Sequence, residues 1–247
     1  MQTLEREVAN FFWHGPISKL EIMCIKSFVN KGFHVKLWSY NNIQIDGVES
    51  CDAKLILDET LLYAYSQPFN GIIKKSLAAF SDIFRYKLLS QYPGWWFDTD
   101  CYCLKDSSHF ESLRKNASII AAYQDTEING ATLYLSKPIA SDLLNIAQNI
   151  CNEHNNNLPF WGIIGPNLMT KFVEKNSLQN EICESNYFYP IHYKESYKLL
   201  DAKYKDEVTM RIKNSYLIHL WDSMLINNYN LDKNNFPCNS FLDQLSK

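Results

Sequence analysis

The sequence predicts an α/β fold built on a mostly parallel sheet with helices packed against it. Three observations carry this: a strand–helix–strand opening over residues 8–40, a long helix leading into an all-aromatic strand at 95–97, and a 46% hydrophobic content over 247 residues. With no Gly/Ser-rich or Pro-rich linker and no internal repeat, residues 1–247 read as one domain.

Residues 8–14 form an apolar run suited to a buried strand. Ser18-Lys-Leu-Glu21 is a capping box that opens a helix. Leu20, Cys24 and Phe28 then recur every four residues, beside Ile17 and Ile25, and Gly32 ends the helix. Across residues 33–40, Phe33, Val35 and Leu37 alternate with His34, Lys36 and Trp38, the period of a second strand. Such a β-α-β unit closes a parallel pair by a right-handed crossover. Residues 41–70 show little pattern beyond a short helix expected within 52–65. A helix is expected over 72–91, with Leu77, Phe80, Phe84, Lys87 and Leu88 on or near one face, stopped by Tyr92-Pro93-Gly94. After the strand at 95–97, another is expected at 118–123, then a turn at Asn129-Gly130 and a strand at 132–135. A helix over 138–150 starts at a proline, and residues 152–159 read as a mobile polar loop. Gly165-Pro166 precedes a helix at 167–175, and 187–191 and 216–221 read as late strands.

Composition excludes several classes of function. Twenty-four basic against twenty-seven acidic side chains give a net charge of −3, without the broad cationic field of a nucleic-acid binder. No apolar run approaches the roughly 20 residues that cross a bilayer. Residues 1–10 carry Glu5 and Glu7 where a secretion leader needs an apolar stretch, so a cytoplasmic location is expected. Seven scattered cysteines suggest reduced thiols, and the lone pair Cys101 and Cys103 is weak evidence for zinc.

The chemistry centres on Trp95-Trp96-Phe97-Asp98-Thr99-Asp100. Two carboxylates two residues apart on an extended segment point the same way and can share one divalent cation, of the Mg²⁺ or Mn²⁺ type. The plainer alternative is a turn whose aspartates cap the backbone. A phosphatase of the haloacid-dehalogenase type also carries D-x-D, but it expects Thr or Val where Tyr102 stands here. Upstream, Asp82 and Arg85 share a helix face, either as a solvated ion pair or as a grip on sugar hydroxyls and phosphate.

The order Phe12-Trp13-His14-Gly15, Leu37-Trp38-Ser39-Tyr40, Ser81-Asp82 with Arg85-Tyr86, Gly94 to Asp100, Gly165-Pro166, Phe188-Tyr189-Pro190 and His219-Leu220-Trp221 resembles glycosyltransferase family 32. These are the D-x-D sugar transferases of capsule, lipopolysaccharide and mannan synthesis. The chain is more distantly similar to the glucosyltransferase domains of large clostridial toxins. The likeness covers roughly residues 8–225. It implies a GT-A fold, with a nucleotide-sugar-binding half over about 1–105 and an acceptor-side half over about 106–247.

By resemblance, Trp13 stacks on the donor base, while Asp82 and Arg85 hold the donor sugar. Asp98 lies near ribose and metal, Asp100 is the direct metal ligand, and His219 is a third ligand. Trp221 is expected to donate its indole N–H to the leaving diphosphate, and Asn129 to touch sugar or acceptor. Gly15, Tyr40, Trp96 and Thr99 complete the expected donor site, with Asp82, Arg85 and Asp100 catalytic.

The implied activity is retaining transfer of a hexose from a nucleotide-diphospho-sugar, UDP-linked in preference, dependent on Mn²⁺ or Mg²⁺. The implied acceptor is an oligosaccharide or lipid-linked saccharide of bacterial capsule or O-antigen, reached by transient contact with the inner membrane face. A GDP-mannose donor and a non-catalytic nucleotide-sugar or carbohydrate-binding module are the alternatives. The chain departs from the family in carrying Trp96 where tyrosine is usual, and Asp222-Ser223-Met224 after the late tryptophan.

Overall fold

The computed structural model describes residues 6–69 and 72–247; Glu5 lies outside them. In chain order the elements are β1 (Val8–Trp13), α1 (Lys19–Asn30), β2 (His34–Ser39), β3 (Val48–Asp52), β4 (Ser66–Phe69), β5 (Ile72–Lys75), α2 (Leu77–Gln91), β6 (Trp95–Phe97) and β7 (Cys101–Cys103). There follow α3 (Ser107–Arg114), β8 (Ile119–Gln124), β9 (Glu127–Leu135), α4 (Lys137–Glu153), α5 (Pro166–Lys175), α6 (Lys205–Arg211), β10 (Leu217–His219), α7 (Asp222–Tyr229) and α8 (Phe241–Leu245).

The central sheet runs β3-β2-β1-β6-β9-β8. Its first four strands are parallel, and β9 and β8 complete it as an antiparallel hairpin. The chain steps outward from β1 to β2 and β3, then returns to lay β6 on the other side of β1. That reversal opens a crevice at the carboxyl ends of β1 and β6, where α/β sheets bind ligands.

Alternation along β6 anchors both faces. Trp95 and Phe97 join a core with Phe11, Phe28, Phe33 and Phe110 under α1 and α3. Trp96 points the other way, into a core with Phe80, Phe84 and Met169 under α2, α4 and α5. A third cluster joins Leu20 and Cys24 of α1 to Ile218, Leu225 and Phe241, so the C-terminal segment packs against the first helix.

The mixed sheet and flanking helices bear out the expected α/β class. The capping box forms: Ser18 N–H donates to Glu21 Oε2 at 2.9 Å. The chain turns out of α1 at Gly32, whose φ of +83° favours glycine.

Five expectations need correction. Residues 72–75 are not helical. Ile72 to Lys75 pair antiparallel with Phe69 to Ser66, and α2 starts only after Ser76, whose hydroxyl accepts from the Ala79 N–H at 3.1 Å. Within 52–65 the chain makes two single 3₁₀ turns capped by Asp52 and Asp58, and strand β3 precedes them. Asn129-Gly130 lies inside β9, and the hairpin turns instead at Asp125, which takes the left-handed conformation (φ 54°). Residues 187–191 make no strand: the Phe188 and Tyr189 N–H groups bond back to Ser185, and Pro190 has none to give. Residues 152–153 still belong to α4, and the loop beyond is tied down by Ser66 Oγ on Asn157 at 2.6 Å and by Leu158 N–H on the Ser66 carbonyl.

Among the described residues no helix is long and apolar enough to cross a membrane. All seven cysteines carry free thiols, four of them buried.

Candidate active site

Two charged groups flank the end of β6. The first is built on α2, which runs antiparallel to β6 and so places its opening turns at the crevice. Arg85 is 7% exposed. Its Nη1 donates to the Gly130 carbonyl at 2.7 Å and its Nη2 to Ser81 Oγ at 3.2 Å. The same guanidinium lies 3.7 Å from Asp82 and 3.4 Å from Asp98, and 5.1 Å from the Trp96 ring. Asp98 also accepts from the Trp96 indole at 2.8 Å, so Trp96, buried beneath the crevice, positions that carboxylate.

Two glycines make this packing possible. A Cβ on Gly130 would sit 2.3 Å from Arg85 Nη1, and one on Gly165 would sit 2.6 Å from Asp82 Oδ2. Burial pushes the Asp82 carboxyl up to about 6; Arg85 opposes the shift and Asp98 adds to it. Burial works against the charge on Arg85, but Asp98 and Asp82 outweigh it and the guanidinium is held above its ordinary value.

The second group lies where β7 pairs with β10, with Cys101 opposite His219. His219 Nε2 is 3.0 Å from Asp100 Oδ1, and the Asp222 N–H donates to Asp100 Oδ2 at 3.0 Å. Trp221 turns the chain at φ 57°, a strained conformation for a bulky residue, and this directs the first amide of α7 at Asp100. Burial alone would raise the Asp100 carboxyl; His219 and the Asp222 amide override it and hold it below the usual carboxylate range. Burial would lower His219, but the negative Asp100, with Asp98 and Asp222, holds it above the ordinary imidazole value. Asp222 is pushed up to about 6 by burial and then by Asp100, with Lys233 opposing. Lys233 ties the cluster to the other wall: it bonds Glu21, lies 3.2 Å from Asp222 and sits 4.9 Å above the Trp13 ring.

Asp98 and Asp100 therefore do not continue one extended segment, as expected from sequence. They flank a tight turn closed by the Cys101 N–H on the Asp98 carbonyl at 3.0 Å, so Asp98 faces Arg85 and Asp100 faces His219. Among the described residues, the acidic, thiol and imidazole side chains close enough to hold one ion are Asp100, Cys101 and His219. Burial raises the Cys101 thiol well above its usual value, which leaves a carboxylate oxygen and an imidazole nitrogen as the natural donors. The His219 Nδ1 is buried without a partner. A carboxylate, an imidazole and an excess of negative charge fit Mn²⁺ and, less well, the all-oxygen preference of Mg²⁺.

The other expected residues fall as follows. Trp13, at the carboxyl end of β1, is half-buried and donates its indole N–H to the Pro16 carbonyl at 3.2 Å. Gly15 follows at φ +95° with open space where a Cβ would stand. Thr99 is half-buried between the aspartates. Three residues have polar groups committed to the protein: Tyr40 donates to the Leu57 carbonyl at 3.0 Å, Asn129 bonds Gln124 and the Ala131 amide, and Trp221 donates to the Ile191 carbonyl at 2.7 Å. The expected Trp221 N–H for a leaving diphosphate is thus used internally, because the left-handed turn aims the ring back at the 189–191 segment.

Sequence reasoning passed over His14, whose Nδ1 is buried and unpartnered beside the Tyr40 and Tyr63 rings, and also Gly130, Asp222 and Lys233. The Phe12-Trp13-His14-Gly15 run contained a signal for the first. Nothing local marks Lys233, which reaches the site through the docking of Lys233 and Asn234 on the amino end of α1.

Residues 147–236 match the model of the alpha 1,4-glycosyltransferase conserved region, a span that holds Gly165, His219, Asp222 and Lys233. No curated protein matches the chain by sequence. Among solved structures it is similar to PaToxG glycosyltransferase, at 12% identity and a TM-score of 0.50, covering 98% of this chain and 86% of that one. It is also similar to the apo form of the glycosyltransferase GlyE of Streptococcus pneumoniae TIGR4, at 13% identity and a TM-score of 0.51; 98% of this chain is covered, and it spans 60% of that chain. At such identities the structural likeness establishes a GT-A-like fold. The fold and the matched region are those of glycosyltransferases, which bears out the resemblance read from the sequence.

Proposed function

We propose that the chain is a metal-dependent, retaining glycosyltransferase that moves a hexose from a nucleotide-diphospho-sugar, UDP-linked in preference, to a saccharide acceptor. The observation that carries this reading is the pairing of two unlike charged groups at the switch point of the sheet: Asp82, Arg85 and Asp98 on one side, Asp100, His219 and Asp222 on the other.

Asp100 and His219 would hold Mn²⁺ or Mg²⁺, which when bound supplies positive charge for the leaving diphosphate; the resemblance alone adds Asp98, which the turn directs at Arg85. The Asp222 amide and the Trp221 turn hold Asp100 in place for that role. Arg85, fixed by Gly130 and Ser81, presents a rigid cation, and Asp82 presents a carboxylate to donor-sugar hydroxyls. Together they orient the anomeric carbon so that an acceptor hydroxyl approaches from the leaving-group face. Its C–O bond to the diphosphate breaks, the acceptor oxygen bonds to the same carbon, and the acceptor proton passes to the leaving diphosphate oxygen on that face. Trp13 and Gly15 at the end of β1 offer a flat ring and open space for the base. The expected donor half, up to about residue 105, would be completed by Gly130, His219 and Asp222 from the remainder, which would otherwise form the acceptor side.

Retention, the UDP preference and an acceptor of capsule or O-antigen type rest on the family resemblance. So does a cytoplasmic enzyme in transient contact with the inner membrane face.

Incubation with Mn²⁺ and a panel of nucleotide sugars, followed by measurement of free UDP and GDP, tests the proposal. Metal-dependent release of one nucleotide is the expected result. Tight donor binding without release would make the chain a nucleotide-sugar-binding module, and no binding at all would remove the donor site.

A further inference from the structure

At the far end of the β7–β10 ribbon is a cavity of about 370 Å³. Cys101 and His219 pair at the candidate active-site end, Cys103 and Leu217 at the other, and the chain leaves β7 through Leu104 and Lys105 into this cavity's wall. The three extended residues of β7 separate the Asp100 turn from Leu104 and Lys105, about 10 Å at the rise of a strand.

Three basic side chains line the cavity: Lys105, His109 of α3 and Arg211 of α6. Lys105 Nζ bonds the Lys213 carbonyl at 3.4 Å, a neutral acceptor, and forms no ion pair among the described residues. Arg211 is anchored through Nη1 to Glu195 at 3.0 Å and Glu207 at 3.5 Å, so its charge is partly shared. Among the described residues no acidic side chain lines the cavity, in a chain of net charge −3.

Tyr187 and Tyr216 form another wall, with ring centroids 5.2 Å apart and planes within 13°. Their backbones are bonded together, Tyr216 N–H to the Tyr187 carbonyl at 2.8 Å, and the Tyr216 carbonyl holds the Leu104 and Lys105 amides. The aromatic wall and the cation are therefore fixed relative to each other. Asn186 and Asn214 add side-chain amides, which donate to and accept from hydroxyls.

We propose that this cavity binds one residue of an anionic saccharide, its carboxylate against Lys105 and His109 and its ring against the tyrosine wall. Aromatic surface suits the apolar face of a pyranose, amides suit its hydroxyls, and basic side chains led by Lys105 select a charged sugar over a neutral one. The site is separate from the D-x-D crevice, and its occupancy is read without turnover, so it stands or falls apart from the transferase reaction.

Calorimetric titration of the whole chain with an oligoglucuronate, a neutral glucan oligomer of equal length and inorganic phosphate provides the test. The acidic oligomer is expected to bind at least tenfold more tightly than the neutral one and than phosphate. Lys105→Gln and His109→Gln, both at the protein surface, should each weaken it about fivefold and leave nucleotide-sugar binding unchanged. Equal binding of charged and neutral oligomers, binding of phosphate as tight as that of the acidic oligomer, or unaltered affinity in both variants would each overturn the proposal.

Discussion

The two charged groups beside β6 neutralise their carboxylates differently. Around Arg85 the positive charge is permanent and fixed by the Gly130 carbonyl and Ser81. Around Asp100 it rests on the proton of His219 and on Lys233, two residues from the opposite end of the chain. The first group is complete as built. The second holds a titratable proton at a place that suits a metal ion, and a carboxylate–imidazole pair binds metal in competition with protons. The first group should therefore position substrate whether or not metal is present, and the second should govern the response to metal.

Substitutions that cut one group and spare the other give the largest effects. Asp100→Asn removes a charged ligand and should lower nucleotide release by about 10³-fold, or about 4 kcal/mol of barrier, and raise the Mn²⁺ concentration for half-maximal rate. Arg85→Lys breaks the contacts to Gly130 and Ser81 and should cost about 10²-fold, through donor affinity and rate, with the Mn²⁺ midpoint unmoved. A metal titration of both variants decides: an unmoved midpoint in Asp100→Asn, or a shifted one in Arg85→Lys, would dissolve the distinction.

The same contrast marks how far the sequence could be read. Asp82 and Arg85 are close in sequence, and helical spacing alone puts them on one face. Asp98 and Asp100 were visible as a pair, but their divergence depends on a turn that no pattern encodes. The Asp100 group is assembled from β7, β10, α7 and the segment before α8, over sequence separations above 100 residues. Local periodicity carries no such information.

The same holds for secondary structure. The β-α-β opening follows from strong alternation and a capping box. The segment 72–75 escapes sequence pattern because Ile-Ile-Lys-Lys fits a helix until its pairing with residues 66–69 is known. Gly130 looked like a turn and proves to be a close approach for Arg85, a distinction only packing reveals.

Gly165→Ala sharpens the comparison with a smaller effect. A methyl at this position would meet Asp82, at 2.6 Å from Oδ2 and 3.0 Å from Oδ1. The carboxylate must move away from where Arg85 holds it. Donor affinity should fall by about tenfold, about 1.4 kcal/mol, while the Mn²⁺ midpoint stays in place. Unchanged donor affinity would show that the position of Asp82 does not matter to the donor.

The smallest effect lies in the pH dependence of stability. Asp82 is pushed up to about 6 by burial, with Arg85 opposing, so the folded chain holds this proton more tightly than the unfolded chain, where the value is near 4. Its stabilising contribution is complete below about 4 and is lost as pH rises through about 6. Asp222, also at about 6 for burial and the neighbouring Asp100, acts in the same direction. Asp100 acts oppositely and only at the acid end, since its lowered carboxyl loses its stabilising charge below about 4. Between pH 4.5 and 7.5 the metal-free protein should thus lose stability on the order of 1–3 kcal/mol, read as a falling urea midpoint. Asp82→Asn should reduce that decline, to which Asp222 and the raised His219 also contribute, and change nothing at pH 4, where the wild-type carboxyl is already protonated. A decline of undiminished slope in Asp82→Asn would mean that Asp82 is ionised throughout this range, held by Arg85 more strongly than burial disfavours it.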